Sequence, residues 1–272
     1  MHPVLFHVFG VPLHSYGALL GLSLVIGWHL TLFSGVKGGL NARQVRMGVV
    51  CTAVAALTGA RLLYVVTNPE RFHALGEVLA VWKGGLVAYG GFLGGFVGAQ
   101  LFCWRQGMSV LKFADCAVPS LCTGLLLTRI GCFLNGCDFG APWEGPWAVH
   151  FPAGSPAFVT QQQLGLLPPG ALQSLAVHPT QLYEAAVGVI LLGAVQWRRR
   201  FSGQSLVVFT MGYALLRFLI ETVRADGERG QVGLLSTSQF IAVLTFVSAG
   251  GLLVYLWRRP MPRGAPARWV AG

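Results

Sequence analysis

Several side chains that hydrocarbon would reject stand inside otherwise apolar stretches of this sequence: Arg61, Arg129, Glu184, Arg217 and Glu221. Arg217 and Glu221 are four residues apart in YALLRFLIETVR, so on a helix they share one face. Arg224 follows three residues later, and Tyr213 precedes Arg217 by four on the same stripe. Arg129 closes the run LLLTRIGCFLNGCDFG, Glu184 opens another in HPTQLYEA, and Arg61 lies with Tyr64 in GARLLYVV. An arginine at mid-span costs about 2.5 kcal/mol or more, so each needs a reason. Two readings are open for Arg217 and Glu221. One is a structural ion pair that locks helices together. The other is a polar cavity, opening outward, in which guanidinium forks hold an anionic group such as a phospholipid phosphate. Three arginines and two carboxylates at one membrane level favour the cavity.

The other reactive side chains say less. His178, in His178-Pro179-Thr180-Gln181, suits either a helix-start hydrogen bond or a site residue. Cys132 and Cys137 are separated by four residues, unlike the tight C-x₂-C pattern of zinc sites, so no metal is expected. They are read as thiols or as a disulfide, which an oxidising compartment permits. Cys51, Cys103, Cys116 and Cys122 fall in apolar runs and are expected to pack as small hydrophobes. A Schiff-base photoreceptor is disfavoured, because Lys37, Lys83 and Lys112 are the only lysines and all fall outside the span interiors.

The elements that must position these residues follow from composition. Of 272 residues, 54% are hydrophobic and only 10% charged, with mean hydropathy +0.63. A soluble domain carries about 25% charged residues, so this chain lacks the charge to cover a water-facing surface. The expected fold is an all-α polytopic membrane protein of about seven spans, near 15–33, 46–66, 84–104, 111–134, 181–197, 205–220 and 236–257. Each matches the ~20 apolar residues a bilayer requires. The N-terminal stretch lacks a basic region, its first lysine being Lys37, so the first span is expected to stay in the mature chain. The third span is rich in glycine, including Gly90, Gly91, Gly94 and Gly95, a composition that lets helices approach closely in lipid.

Basic residues set the orientation. With the N-terminus outside, the inner side holds Lys37, Arg43, Arg46, Arg105, Lys112, Arg198, Arg199, Arg200, Arg258, Arg259, Arg263 and Arg268. The outer side holds only Arg71, Lys83, Arg224 and Arg229. The net charge of +10 is thus mainly a topology signal, with attraction to anionic lipid besides. Nucleic acid is excluded as a partner because these residues flank spans and form no single face. The chain reads as one membrane domain, 1–272. Within it, a connection over 135–180 contains Trp143, Trp147 and Phe151 but no Lys or Arg, and it is expected to form an outer cap.

Five stretches together resemble the prolipoprotein diacylglyceryl transferase family. They are Ser15-Tyr16-Gly17, Gly85 to Gly95, Arg129 to Gly140, His178 to Glu184, and Tyr213 to Arg224. The resemblance implies the bacterial cytoplasmic membrane and a reaction without cofactor. The diacylglyceryl group of phosphatidylglycerol passes to the lipobox cysteine thiol of a preprolipoprotein signal peptide, forming a thioether and releasing glycerol phosphate. It further implies that Arg129 and Arg217 stabilise the leaving phosphate, that Glu221 orients Arg217, and that Tyr89 stands where some members carry a histidine proposed as base. Tyr16, Arg61, Asn135, Gly140, His178, Gln181, Tyr183, Glu184, Tyr213 and Arg224 would line the substrate site. The family's signature runs Arg-x-Gly-Asn-Phe-x-Asn-x-Glu-x-x-Gly, and here Cys132 and Cys137 replace its first Asn and its Glu. Asp138 follows one position later, where on a regular helix its side chain would point elsewhere. The alternative is a non-catalytic or transport-like protein that keeps the phosphate pocket, or a paralogue with a changed lipid or acceptor.

Overall fold

The computed structural model describes residues 4–8, 11–72, 74–81, 84–196, 201–225 and 230–258. Among these, Lys83, Arg198, Arg199, Arg200, Arg229, Arg259, Arg263 and Arg268 do not appear, so that part of the orientation argument lies outside the described residues. The protein is mostly helical. Its helices are α1 (Ser15–Lys37), α2 (Ala42–Thr67), α3 (Leu75–Leu79), α4 (Ala88–Arg105), α5 (Val110–Asn135), α6 (Pro156–Gln163), α7 (Thr180–Gln196), α8 (Gln204–Glu221) and α9 (Thr237–Arg258). Two short antiparallel pairs complete it: β1 (Val4–Val8) with β2 (Val11–His14), and β3 (Gln231–Val232) with β4 (Leu235–Ser236). The N-terminal pair and the short helices α3 and α6 were not foreseen from the sequence.

Helices α1, α2, α5, α8 and α9 are long and apolar enough to cross a membrane. Helices α4, with 18 residues, and α7, with 17, coincide with the two other expected spans. The apolar side chains that point away from the protein fit a polytopic membrane fold. Phe33, Val66, Trp104, Val247 and Trp257 are each at least 65% exposed, a cost water would impose and lipid does not. Local chemistry sets several ends. Asn41 caps α2 by accepting from the Arg43 and Gln44 amides, Ser155 caps α6 ahead of Pro156, and Lys37, Arg105 and Arg258 sit in last turns, where cations meet the helix dipole favourably.

The chain forms two compact units. In the Leu30–Cys116 unit, α2 and α4 pack through small residues. A Cβ on Gly90 would lie 2.3 Å from the Gly59 carbonyl oxygen, and one on Gly94 would lie 2.3 Å from that of Ala55. Gly91 and Gly95 are looser, with nearest atoms at 3.6 and 3.3 Å. The small-residue expectation therefore applies most strongly to the first residue of each pair. Val45, Cys103, Met108 and Phe113 make a core beside this seam.

The other unit comprises Met1–His29 and Ala117–Gly272. Val118, Cys122, Val187, Leu191 and Val195 form its core between α5 and α7, with Tyr213 and Ile220 of α8 against it. Cys122 here, like Cys103 and Cys116 of the Leu30–Cys116 unit, is fully buried, as small hydrophobes are, whereas Cys51 is partly buried. Within residues 135–180 the chain builds a core of its own, in which Phe139, Phe151, Ala157 and Val177 pack with Phe133. Isolated bridges join Pro142 and Val149 to Val177, and Pro152 to Gln173. The connection is thus a folded segment rather than a loose loop.

Candidate active site

The charged residues of the second unit converge. Arg129 comes from the last turns of α5, Glu184 from the fifth position of α7, and Arg217 and Glu221 from the end of α8, with Arg224 just beyond. Arg129 Nη1 lies 2.6 Å from Asp138 Oδ2, and its Nε lies 2.8 Å from Glu184 Oε2. Arg224 Nη1 donates to Glu184 Oε1 at 2.8 Å, and its Nη2 pairs with Asp138 Oδ1. Arg217 Nη1 lies 2.7 Å from Glu221 Oε2 and 3.9 Å from Glu184 Oε1. Ser236 Oγ donates to the second Glu221 oxygen at 3.0 Å. Three arginines thus face three carboxylates, and the group is formally neutral. Burial of an unpaired charge is costly, and this balance leaves Glu184, with only 2% of its side chain exposed, facing arginines on both of its oxygens.

Asp138 corrects the expectation drawn from helix geometry. Helix α5 stops at Asn135, and Gly136 and Asp138 both adopt left-handed backbone angles, with φ of 82° and 59°. That turn swings the Asp138 carboxylate back onto Arg129 and Arg224. Thr180 Oγ1 donates to the Asp138 carbonyl and Gln181 Nε2 to that of Cys137, each at 2.6 Å, so the start of α7 holds the turn in place. The signal was present in the sequence, because Asn-Gly is a turn dipeptide, here Asn135-Gly136.

The arginines differ in how they are held. Arg129 and Arg224 each make aligned hydrogen bonds to carboxylates. Arg217 Nη1 is buried close to two carboxylates but has no aligned hydrogen bond among the described residues. Its charge is neutralised while this donor atom is not saturated. The acids differ as well: Asp138 is the most open, with 28% of its side chain exposed against 5% for Glu221.

The remaining expected residues divide. Tyr213 stacks on Phe209 with centroids 6.0 Å apart, and its hydroxyl feels Glu184 and all three arginines. Tyr16 packs over Gly131, where a Cβ would come within 3.1 Å of the Tyr16 Cα, and interacts with Cys132, Cys137, Arg129 and Asp138. Asn135 reaches the Cys137 thiol. His178 stacks on Trp143 at 4.3 Å and shares a hydrogen bond with the Tyr183 hydroxyl, which also accepts from Trp147 Nε1. Burial lowers the His178 pKa below the usual histidine value. Gly140 has a backbone reason to be glycine: its amide donates to the His178 carbonyl, and a Cβ there would lie 2.6 Å from the His178 Cβ.

Arg61 and Tyr89 belong to the Leu30–Cys116 unit. Arg61 donates to the carbonyls of Glu77, Val78, Ala80, Gly84 and Gly85, and lies over the rings of Tyr64 and Phe72. This geometry gives it a structural role, because its fork is filled by backbone oxygen. Tyr89 lies in the first turn of α4 and is 51% exposed.

Fold and site define a polytopic helical membrane protein with a charge-balanced centre among its apolar helices. The family model for prolipoprotein diacylglyceryl transferase matches residues 3–255, and the chain belongs to that family. A phosphatidylglycerol–prolipoprotein diacylglyceryl transferase of Clostridium tetani is 31% identical over 250 residues, covering 91% of this chain and 94% of the relative. One from Clostridium perfringens, numbered 2, is 32% identical over 263 residues, 94% of each. One from Thermosynechococcus vestitus is 32% identical over 262 residues, 93% of this chain and 92% of the relative.

Proposed function

We propose that this chain transfers the diacylglyceryl group of phosphatidylglycerol to the lipobox cysteine of a preprolipoprotein signal peptide. The acceptor thiol gives up its proton, its sulfur bonds to the terminal glycerol carbon, and the carbon–oxygen bond to phosphate breaks. The electron pair leaves on glycerol phosphate, so negative charge grows at the phosphate as the reaction proceeds. A cation preorganised at that point, away from water, lowers the barrier. The observation that carries the reading is Arg217, whose buried Nη1 lies 2.7 Å from Glu221 yet has no aligned hydrogen bond among the described residues. In this reading Glu221, steadied by Ser236, orients Arg217. Arg129 meets the phosphate by exchanging Asp138, the most open acid of the group. Glu184 and Arg224 keep the pair geometry, and Tyr16, Asn135, Gln181 and Tyr213 shape the surroundings.

The protein works, in this proposal, as a seven-span enzyme of a bacterial cytoplasmic membrane with its N-terminus and its cap outside. Thioether formation on a lipobox peptide, with phosphatidylglycerol as donor and purified protein as catalyst, tests the activity. No product with that pair would leave the non-catalytic or transport-like reading in its place. Single cysteines at Ser155 and Ser202 test the orientation. An impermeant thiol reagent added to spheroplasts should label the first and spare the second, and the opposite pattern would invert the topology.

A further inference from the structure

The two cysteines in the signature stretch play no part in that mechanism, and their placement is specific. The Sγ atoms of Cys132 and Cys137 and a carboxylate oxygen of Asp138 all lie within 4.8 Å of one another. Both cysteines are free thiols. Cys132 is 6% exposed and Cys137 half-buried. The turn between them is tight, with the Gly136 and Cys137 amides both donating to the Cys132 carbonyl, at 2.8 and 3.2 Å. Asp138 is an unfit third ligand for a metal, since one oxygen is held by Arg129 and the other by Arg224. What remains is a vicinal dithiol with one sulfur reachable and the other behind it.

We propose that Cys132 and Cys137 form a redox modification site: a reversible disulfide that closes the turn carrying Asp138. Cys137 is the attacking thiol. A hydrogen bond from the Cys132 thiol lowers its pKa from 9.0 to about 7 against the opposing effect of burial, and the Asn135 amide adds to the lowering. Thiolate is the reactive form. The oxidant is a small disulfide, as an oxidising compartment contains. The Cys137 thiolate attacks one sulfur of the oxidant and releases one thiol, leaving a mixed disulfide. Cys132 then loses its proton and displaces the second thiol. Two protein thiols become one disulfide, and one small disulfide becomes two thiols.

The consequence falls on the neighbouring residue. Asp138 is covalently next to Cys137, and its carboxylate is what Arg129 must exchange if a phosphate is to bind. A bond from Cys137 to the end of α5 removes freedom from that turn and holds Asp138 on its arginines. The oxidised protein should therefore turn over more slowly than the reduced one. This last step rests on the proposed function, whereas disulfide formation does not.

The full-length protein in phosphatidylglycerol vesicles, treated with oxidised glutathione and then with maleimide, separates the two. The expected result is a 132–137 disulfide, seen as a peptide lighter by two hydrogen atoms, with protection of Cys137 from maleimide that dithiothreitol reverses. Cys132→Asn should stop at the mixed disulfide, with glutathione retained on Cys137. If Cys137 of the unaltered protein stays freely alkylatable, or ends as a stable glutathione adduct, the modification site is refuted. If the disulfide forms but turnover stays within about twofold of the reduced protein, the site stands and the coupling to Asp138 falls. An inactive reduced protein that still forms the disulfide would refute the proposed function alone.

Discussion

Arg61 and Arg224 are both arginines sunk into apolar helical units, but they are satisfied in opposite ways. Arg61 is surrounded by five backbone carbonyls and two aromatic rings, with no carboxylate among the partners described. Arg224, like Arg129 and Arg217 near it, is answered by side-chain carboxylates. A carbonyl cannot leave without unmaking the backbone that carries it, so Arg61 staples Glu77, Val78, Ala80, Gly84 and Gly85 to α2. A carboxylate on a rotatable side chain can be exchanged for another anion. Burial alone therefore does not mark a site; the kind of partner does.

The comparison breaks most clearly at Arg217. Arg217→Ala should cost at least ~10²–10³ in turnover, the loss typical of one preorganised donor, while the protein stays folded. Arg217→Lys should restore only part, because an ammonium lacks the fork. Near-normal turnover of Arg217→Ala in the thioether assay would make the Arg217–Glu221 pair structural, like Arg61.

Arg61→Met comes next, with the opposite pattern. It leaves buried carbonyls without donors, at about 1–3 kcal/mol for each group left unsatisfied. Thermal unfolding in detergent should show a loss of at least ~2 kcal/mol, with KM for phosphatidylglycerol unchanged in the folded fraction. A raised KM at normal stability would return Arg61 to the substrate site.

Asp138→Asn sharpens the contrast within the cluster. It leaves three arginines facing two carboxylates and frees Arg129, so KM for phosphatidylglycerol should fall about tenfold, equivalent to ~1.4 kcal/mol. An unchanged KM would mean that phosphate never competes with this acid.

The smallest effects belong to the cysteines. Cys132→Asn should keep turnover within about threefold, as replacements outside strong interactions do. Alkylation of Cys137 should rise with pH and level off above about 7, instead of climbing toward 9.0. Its pKa is depressed in the folded protein, so the linked stabilisation is complete above pH 9.0 and fades as pH falls through about 7. A reactivity midpoint near 9.0 would remove the hydrogen-bonded pair.

Much of this was legible beforehand. The five helices long and apolar enough to cross a membrane lie close to stretches their hydropathy marks, α4 and α7 coincide with two more, and Arg129, Glu184, Arg217, Glu221 and Arg224 do gather. The costs that betray them, charge in hydrocarbon and a 3.6-residue period, are local properties of sequence. What stayed hidden depended on turns and on distant backbone. Asp138 was set aside because α5 was extended past the Asn135-Gly136 turn. The five carbonyls, of Glu77, Val78, Ala80, Gly84 and Gly85, that converge on Arg61 leave no trace in side-chain types. The closeness of His178 that Gly140 permits appears only once the chain has folded.

The balance of three arginines against three carboxylates has a meaning for how the protein is made. Inserted before α7, α5 would bring Arg129 into lipid with only Asp138, from the turn just beyond it, as counter-charge, against about 2.5–3.5 kcal/mol for an uncompensated arginine on insertion scales. Its partner Glu184 is made some fifty residues later, at the head of α7. Helices α5 and α7 are thus poorer clients of the insertion machinery alone than together, whereas α8 brings Glu221 as a counter-charge for its own Arg217. The first two should enter the bilayer as a pair, α5 waiting beside the translocon for α7. Glu184→Gln would then lower the amount of correctly inserted protein, measurable as a higher protease-sensitive fraction during synthesis, before any folded molecule exists to be assayed.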